Sequence, residues 1–563
     1  MRSSVEGMRT DHSGNFVPSQ FDLPSGLRRR HRRGCLHTRG GFRALPGLRP
    51  GAGPLKSRLA WSALAAAVLL LAGLLRFPNL ADNPGWHSDE GSLLAAAQSL
   101  NRGEWNYLGI GGSNLVSGRQ PLFVWLLSAA LRIAGGGIGT LRAITAALGL
   151  LTTTALILVP ARPSGRTLGL LAGTVYAVLP FTVLYNRLGF SYNLLALLTP
   201  LIAYGLYRHL ETGRPLPLAA ACLLAGLGAV SDLWALAYFP ACLAAAWIRN
   251  RRSGLIGTAA LLLPAAAYAL VMLGRDAGFF LFDLGFIFTR VRFSLLDQVG
   301  LVLTNYGLLL SEEPWIVLGL AGLFLLDDRR LRGVLLGFLA LTFVFAARSV
   351  ALVGLGGYQL LPLAPVLAIG LAGFILAAWR FLHLKASGWL QAFGSLRQVR
   401  LKTTRLLAHG LPLILIGSPF LLTTVRQVAA LDSRLPSELD GVLIYPANAR
   451  LSAAYVNART DFADLVIASP ALAWTVDANV TDFQVSLAYE GRTTRHFPPD
   501  IPQTRFTFDP RLSQSRYVIV DRIWDNWAAA NVPDMDLILR PLASWPLAAE
   551  FGEFRIYRNP DVP

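Results

Sequence analysis

Long apolar runs separated by short polar loops dominate this chain. Runs approaching the roughly 20 residues that a membrane helix needs begin near positions 59, 139, 167, 193, 216, 233, 254, 314, 332, 356 and 410. The stretch "PLFVWLLSAALRIAGGG" from Pro121 is different, because only about 14 residues precede its glycines, which is short for a crossing. The runs at 216 and 233 stand so close that one broken helix would account for both. Beyond residue 425 the pattern changes. Asp, Asn, Arg, Pro and Trp become frequent, and short runs such as "DLVIAS" and "RYVIVDR", bounded by turn residues, predict strands. Residues 426–563 are long enough for a small core of their own.

Charge orients these elements. Residues 1–58 carry 12 Lys and Arg against 3 Asp and Glu, and such a tail beside a first span favours the cytoplasm. If Pro121–Ile133 lies along the surface, the loops with Arg162 and Arg166, Arg208 and Arg214, "RNRR" at 249–252, "DDRRLR" at 327–332 and the basic stretch 380–405 all fall inside. If it crosses, they fall outside. The first choice satisfies the charge rule at every loop and gives about eleven crossings. It also gives a long first external loop, 77–138, with surface helices, and an external C-terminal region.

Composition agrees with this layout. Of 563 residues, 53% are hydrophobic and 15% charged, with a mean hydropathy of +0.46, which excludes an ordinary soluble domain. The net charge of +18 does not indicate nucleic acid, since half of it lies in the tail, where "GLRRRHRRG" among Gly, Pro and Ser predicts a disordered segment touching anionic lipid. Cys35, Cys222 and Cys242 offer neither a disulfide framework nor a CxxC metal site. Asn479-Val480-Thr481 matches a glycosylation sequon.

The chemistry-bearing residues concentrate in the first external loop. "WHSDEG" places Asp89 and Glu90 beside His87, just after the first span. A carboxylate there can take a proton from a hydroxyl or help to hold a divalent metal. The same two acids would also suit the first turn of a helix over "GSLLAAAQSL". His87 is the one histidine placed near the external surface, so a multi-histidine metal site is excluded. Arg119, Arg187, Arg275, Arg290, Arg292 and Arg348 also fall outside, against the charge rule. Together they invite an anionic ligand, and phosphate suits the guanidinium fork. Asp232, Glu312 and Glu313 are further external acids, each with a helix cap as the alternative.

The order of features resembles a known family. "RFPNL", "DEG" before a small-residue helix, "RQPLFVWLL", "LRAITAALGLLT", "GLLAGTVYAVLPFTVLYNRLGFSYNLL" and "GGYQLLPLAPVLAIG" follow one another over residues 59–380. This pattern is similar to glycosyltransferase family 39 of the GT-C superfamily, which includes protein O-mannosyltransferases and lipid A aminoarabinose transferases. The resemblance implies an α-helical polytopic membrane enzyme, here a basic tail at 1–58, a transmembrane domain at 59–425 and a small α/β extracytoplasmic domain at 426–563. It implies sugar transfer from a polyprenyl-phosphate carrier to a lipid, glycan or protein hydroxyl at the outer face, with inversion. Asp89 matches the family's catalytic aspartate and Glu90 its neighbour. Arg119, Arg187 and Arg348 would face the donor phosphate. His87, Tyr192, Asn193 and Tyr358 would line the groove. Many relatives carry an aspartate about five residues after the second-loop arginine, whereas this chain has Arg187 followed by Tyr192 and Asn193. Either Asp89 then works alone, or Asp232, Glu312 or Glu313 supplies the second carboxylate. A transporter or flippase of lipid-linked glycans is the rival reading, but neither an internal repeat nor ionisable residues midway through the spans support it.

Overall fold

The computed structural model describes residues 54–103, 121–289, 313–353, 357–392, 442–494 and 497–563, with isolated helical positions between 300 and 310 and between 418 and 429. Helix α1, Pro54–Arg76, is apolar between Leu59 and Leu75 and stops just before Pro78, which cannot continue a helix. The chain then forms the two-residue strand β1, Trp86–His87, and helix α2, Ser88–Asn101. Helix α3, Leu122–Ala134, has 13 residues. At 1.5 Å per residue it is about 20 Å long, too short for a hydrocarbon core of about 30 Å. Its inner face, Phe123, Leu127 and Leu131, packs with Leu94 and Ala97 of α2. Leu126 and Ile133 remain exposed on the other side.

Helix α4, Ile138–Leu158, begins the main bundle. Arg166–Val178 and Pro180–Asn186 meet at a bend of 64°, where Leu179 is extended and Pro180 starts the next helix. Tyr192–Thr212 ends at Gly213 in the left-handed region, φ 73°. Pro215–Ser231 breaks at Asp232, whose extended backbone separates it from Leu233–Tyr238 and Phe239–Trp247, so the runs at 216 and 233 form separate helices. Arg251–Thr289 carries a kink at Asp276, and Trp315–Phe324, Arg329–Val353 and Ala364–Ala392 follow.

Helices therefore form at the apolar runs from 59 to 356, while the run at 410 lies outside the described residues. Among the described residues, four helices are long and apolar enough to cross a membrane, or five if the bent pair is one span.

The C-terminal region carries a five-stranded sheet in the order β4-β3-β5-β7-β6, from Leu465–Ile467 (β3), Asn479–Thr481 (β4), Ser515–Val520 (β5), Leu547–Phe551 (β6) and Phe554–Arg558 (β7). Strand β3 runs parallel to β4 and β5, and β7 antiparallel to β5 and β6. Side chains alternate between faces. Ile467, Val518 and Val520 pack with Trp524 in a core of the domain's own. Val466, Ile519 and Ile556 on the other face join Trp86, Leu94, Phe123 and Leu127 in one continuous core. The region is thus built against the first loop rather than around an independent core alone. Strand β4 is the sequon itself, with Thr481 fully buried. At the end of β5, burial pushes the Asp521 carboxyl up to about 7, against the opposing pull of hydrogen bonds from Ser469 and from the Ile523 and Trp524 backbone.

Candidate active site

The segment between α1 and α4 closes on itself through a reciprocal cap at the start of α2. His87, extended at the N-cap of α2, accepts the Asp89 N–H on its Nδ1 at 3.1 Å. Glu90 Oε2 in turn accepts the His87 N–H at 3.0 Å. A helix start fixed in this way sends its two adjacent acids in different directions. Glu90 is fully buried and Asp89 is exposed.

Glu90 is completely engaged. Arg142 of α4 donates to it from Nε at 2.7 Å and from Nη2 at 2.6 Å, with both side chains shut off from solvent. The same guanidinium donates to the carbonyls of Leu80, at 2.9 Å, and Gly85. The Gly189 N–H reaches Glu90 Oε1 at 2.6 Å. A buried ion pair survives when further hydrogen bonds satisfy both partners, as they do here. Glu90 therefore ties the first loop to α4 and to the loop after Asn186, and its position is that of a fastening group. Asp89, by contrast, has no hydrogen bond to its carboxylate among the described residues.

The second loop, 187–191, is held by buried polar side chains. Asn193 donates to the carbonyls of Tyr185, Leu188 and Phe190 at 3.0–3.2 Å and accepts from Asn186 at 2.6 Å. It faces inward and shapes the loop. Asn186 also accepts from Arg76 Nε at 2.8 Å, and Arg76 donates to the carbonyls of Tyr176 and Ala177 at the end of their helix. Arg187 is buried and donates to the carbonyls of Leu75 and Pro78, at 3.2 and 2.7 Å.

Above these supports lies an aromatic floor. Tyr358, in the 3₁₀ turn Gly357–Leu363, stacks on Phe190 at 4.5 Å. Tyr192 approaches Tyr358 at 5.5 Å, and His87 and Tyr185 each at 6.2 Å. His87 also meets Phe190 edge-on at 5.0 Å. Three of the four residues expected to line a groove, His87, Tyr192 and Tyr358, thus come together, with His87 bonded to the Asp89 backbone, while Asn193 is spent on the carbonyls of its own loop. Asp232 borders the same place, accepting from Ser191 Oγ at 2.7 Å and from Trp234 N–H at 2.9 Å. Glu313 accepts from Trp315 Nε1 at 2.5 Å, and Trp315 continues the aromatic chain through Phe181 and Tyr185. Arg119 and Glu312, with Arg290 and Arg292, lie outside the described residues, as does the side chain of Arg348. Among the described residues no three His, Cys, Asp or Glu side chains group to hold a metal.

Sequence reasoning missed Arg142, Arg76, Asn186 and Phe190. A signal existed for the two arginines, because each is a lone charge at the edge of an apolar run.

Residues 118–274 match the family described as "Dolichyl-phosphate-mannose-protein mannosyltransferase". The chain is similar to that family over this stretch. It is a multi-pass integral membrane protein, and the match covers Arg142, the second loop and Asp232. No curated protein matches the chain. Its fold is that of ArnT from Cupriavidus metallidurans. The apo structure of that protein gives a TM-score of 0.62 at 14% identity, covering 90% of this chain and 99% of the other. The structure of the same protein bound to undecaprenyl phosphate gives 0.54 at 13% identity, covering 90% and 98%. At such identities the likeness speaks for the fold.

Proposed function

We propose that this protein is a membrane glycosyltransferase that moves a sugar from a polyprenyl-phosphate carrier to an acceptor hydroxyl of a lipid, glycan or protein at the outer membrane face, with Asp89 as the base. The observation that carries this reading is the contrast within one dipeptide. Glu90 is locked to Arg142, and Asp89 is exposed, with its backbone N–H bonded to His87, which in turn meets Phe190 and Tyr358. A donor of this class is supported by the undecaprenyl phosphate bound to the ArnT neighbour. In the reaction the acceptor oxygen bonds to the anomeric carbon as its proton passes to Asp89. The bond from that carbon to the phosphate oxygen breaks, and polyprenyl phosphate leaves with the electron pair. In-line attack inverts the anomeric centre.

The phosphate is a good leaving group, so the protein's task is orientation, proton removal and charge stabilisation. Arg119 and Arg348 are our choices for the phosphate. Arg187 is a weaker one, because it donates to the carbonyls of Leu75 and Pro78. Asp232, beside Ser191, is the best placed second carboxylate. About eleven crossings, with the basic tail inside and residues 426–563 outside, put all of these on one face.

The test is reconstitution of the full chain in liposomes with radiolabelled undecaprenyl-phosphate-linked mannose or aminoarabinose and a native membrane extract as acceptor. Covalent appearance of label in the acceptor supports the proposal. Movement of the labelled lipid across the bilayer without transfer would replace it with a flippase.

A further inference from the structure

The C-terminal region grips the start of α2 from both sides of Asp89. On one side, β1 pairs antiparallel with β2, Leu443–Ile444, so that Trp86 lies opposite Ile444 and His87 opposite Leu443. On the other, the loop after β3 presses Pro470 so closely on α2 that a Cβ at Gly91 would overlap the Pro470 carbonyl oxygen. The same loop carries Trp474, whose ring meets Trp86 at 4.9 Å and covers Gly137 with no room for a Cβ. Arg450, on the helix Pro446–Asn457, forms an ion pair with Asp82 and lies over the Trp86 ring at 5.2 Å. Ser469, immediately before Pro470, is itself anchored by donating to the buried Asp521.

We propose that the C-terminal domain is a clamp that sets the position of Asp89, with Arg450 and Trp474 as positioning residues. Asp89 lies between two contact points, His87 against Leu443 and Gly91 against Pro470. Its backbone N–H is held by His87, and Glu90 behind it is fastened to Arg142. Movement of the clamp is therefore transmitted to the Asp89 carboxylate, which has no hydrogen bond of its own among the described residues. A base displaced by about 1 Å can lose on the order of a hundred-fold in rate. The clamp reaches the aromatic floor through Leu443, which packs with Phe190 beside its pairing with His87. Arg450 and Trp474 bear instead on Asp82, Trp86 and Gly137, so changes at these two act on proton removal rather than on donor binding. This inference rests on the assignment of Asp89 as base.

The test uses the full chain in liposomes with labelled undecaprenyl-phosphate sugar. Arg450→Ala and Trp474→Ala are each made in the natural sequence and in an Asp89→Asn background. Each single variant is expected to lower kcat about ten-fold or more, with donor and acceptor KM held within about two-fold. Arg450→Lys, which keeps a cation for Asp82 and Trp86, restores the rate. In the Asp89→Asn background neither change costs more than about a further two-fold, because the group being positioned is gone. A rise in acceptor KM at unchanged kcat, or full multiplication of the losses in the Asp89→Asn background, would overturn the clamp in favour of an acceptor-docking domain. Normal turnover by Asp89→Asn alone would instead remove the base assignment. Should Trp474→Ala fail to accumulate, Arg450→Ala carries the test, since that side chain is 49% exposed.

Discussion

Arg142 and Glu90 meet in a bidentate pair with neither side chain exposed, joining α4 to the start of α2 across 52 residues of sequence. The pair decides how the adjacent acids divide their work. Glu90 spends its oxygens on a guanidinium and two backbone N–H groups. Its neighbour Asp89 is exposed at the same helix start and is the one we propose as the base.

Removing one half of this pair strands the other in a buried site. Arg142→Ala should therefore destabilise the protein by on the order of 3–5 kcal/mol, lowering the melting temperature and the yield of detergent-extracted protein. A double Arg142→Met, Glu90→Leu variant should recover much of that stability. A single variant that melts normally would show that the pair is not what fastens the loop.

Asp521 gives the C-terminal domain a pH dependence of definite sign. Burial raises its carboxyl from 3.8 to about 7, so the folded state holds its proton more tightly than the unfolded state. Stability is then fully present below about pH 3.8, falls as pH rises toward 7, and levels off above it. Asp521→Asn should flatten this slope and raise the melting temperature at pH 8 relative to the natural chain. An unchanged slope would rule out Asp521 as its source.

Tyr358 joins the start of α2 and the loop 187–191 to one floor through Phe190, Tyr192, Tyr185 and His87. Aromatic pairs contribute about 0.5–1.5 kcal/mol each beyond area burial. Tyr358→Ala should weaken use of the lipid-linked donor about ten-fold or more in kcat/KM, and Tyr358→Phe should retain most of it. Equal effects from the two changes would point to the hydroxyl instead of the ring.

A second buried pair holds the C-terminal domain to the helix Arg251–Thr289. Arg505 donates to both oxygens of Asp283, at 3.0 and 2.5 Å, and lies over Phe279 at 4.6 Å. Asp283→Ala should expose the domain to proteolysis, measured as faster cleavage after residue 426 by trypsin. Cleavage at the natural rate would assign the docking to the apolar contacts alone.

Much of this arrangement is legible in the chain, and the parts that are not share a cause. Helices begin close to the apolar runs because a membrane span is set by length and hydropathy, which are local properties. "DLVIAS" and "RYVIVDR" likewise hold β3 and β5. The adjacency of Asp89 and Glu90 was readable, but not their division of roles, since Arg142 and Gly189 come from distant segments. Asn193 looked like a weakened acid in a groove and proves to be a scaffold for the second loop. The pairing of β1 with β2 joins two dipeptides more than 350 residues apart, too short for periodicity to reveal.

The central claim is that Asp89, and not Glu90, removes the acceptor proton. The most direct test is single-turnover transfer by Asp89→Asn, with donor binding measured in parallel on the same liposomes. The account predicts a rate lowered by about 10² to 10⁴ with donor binding retained. Transfer at the natural rate with a neutral amide at position 89 would contradict it.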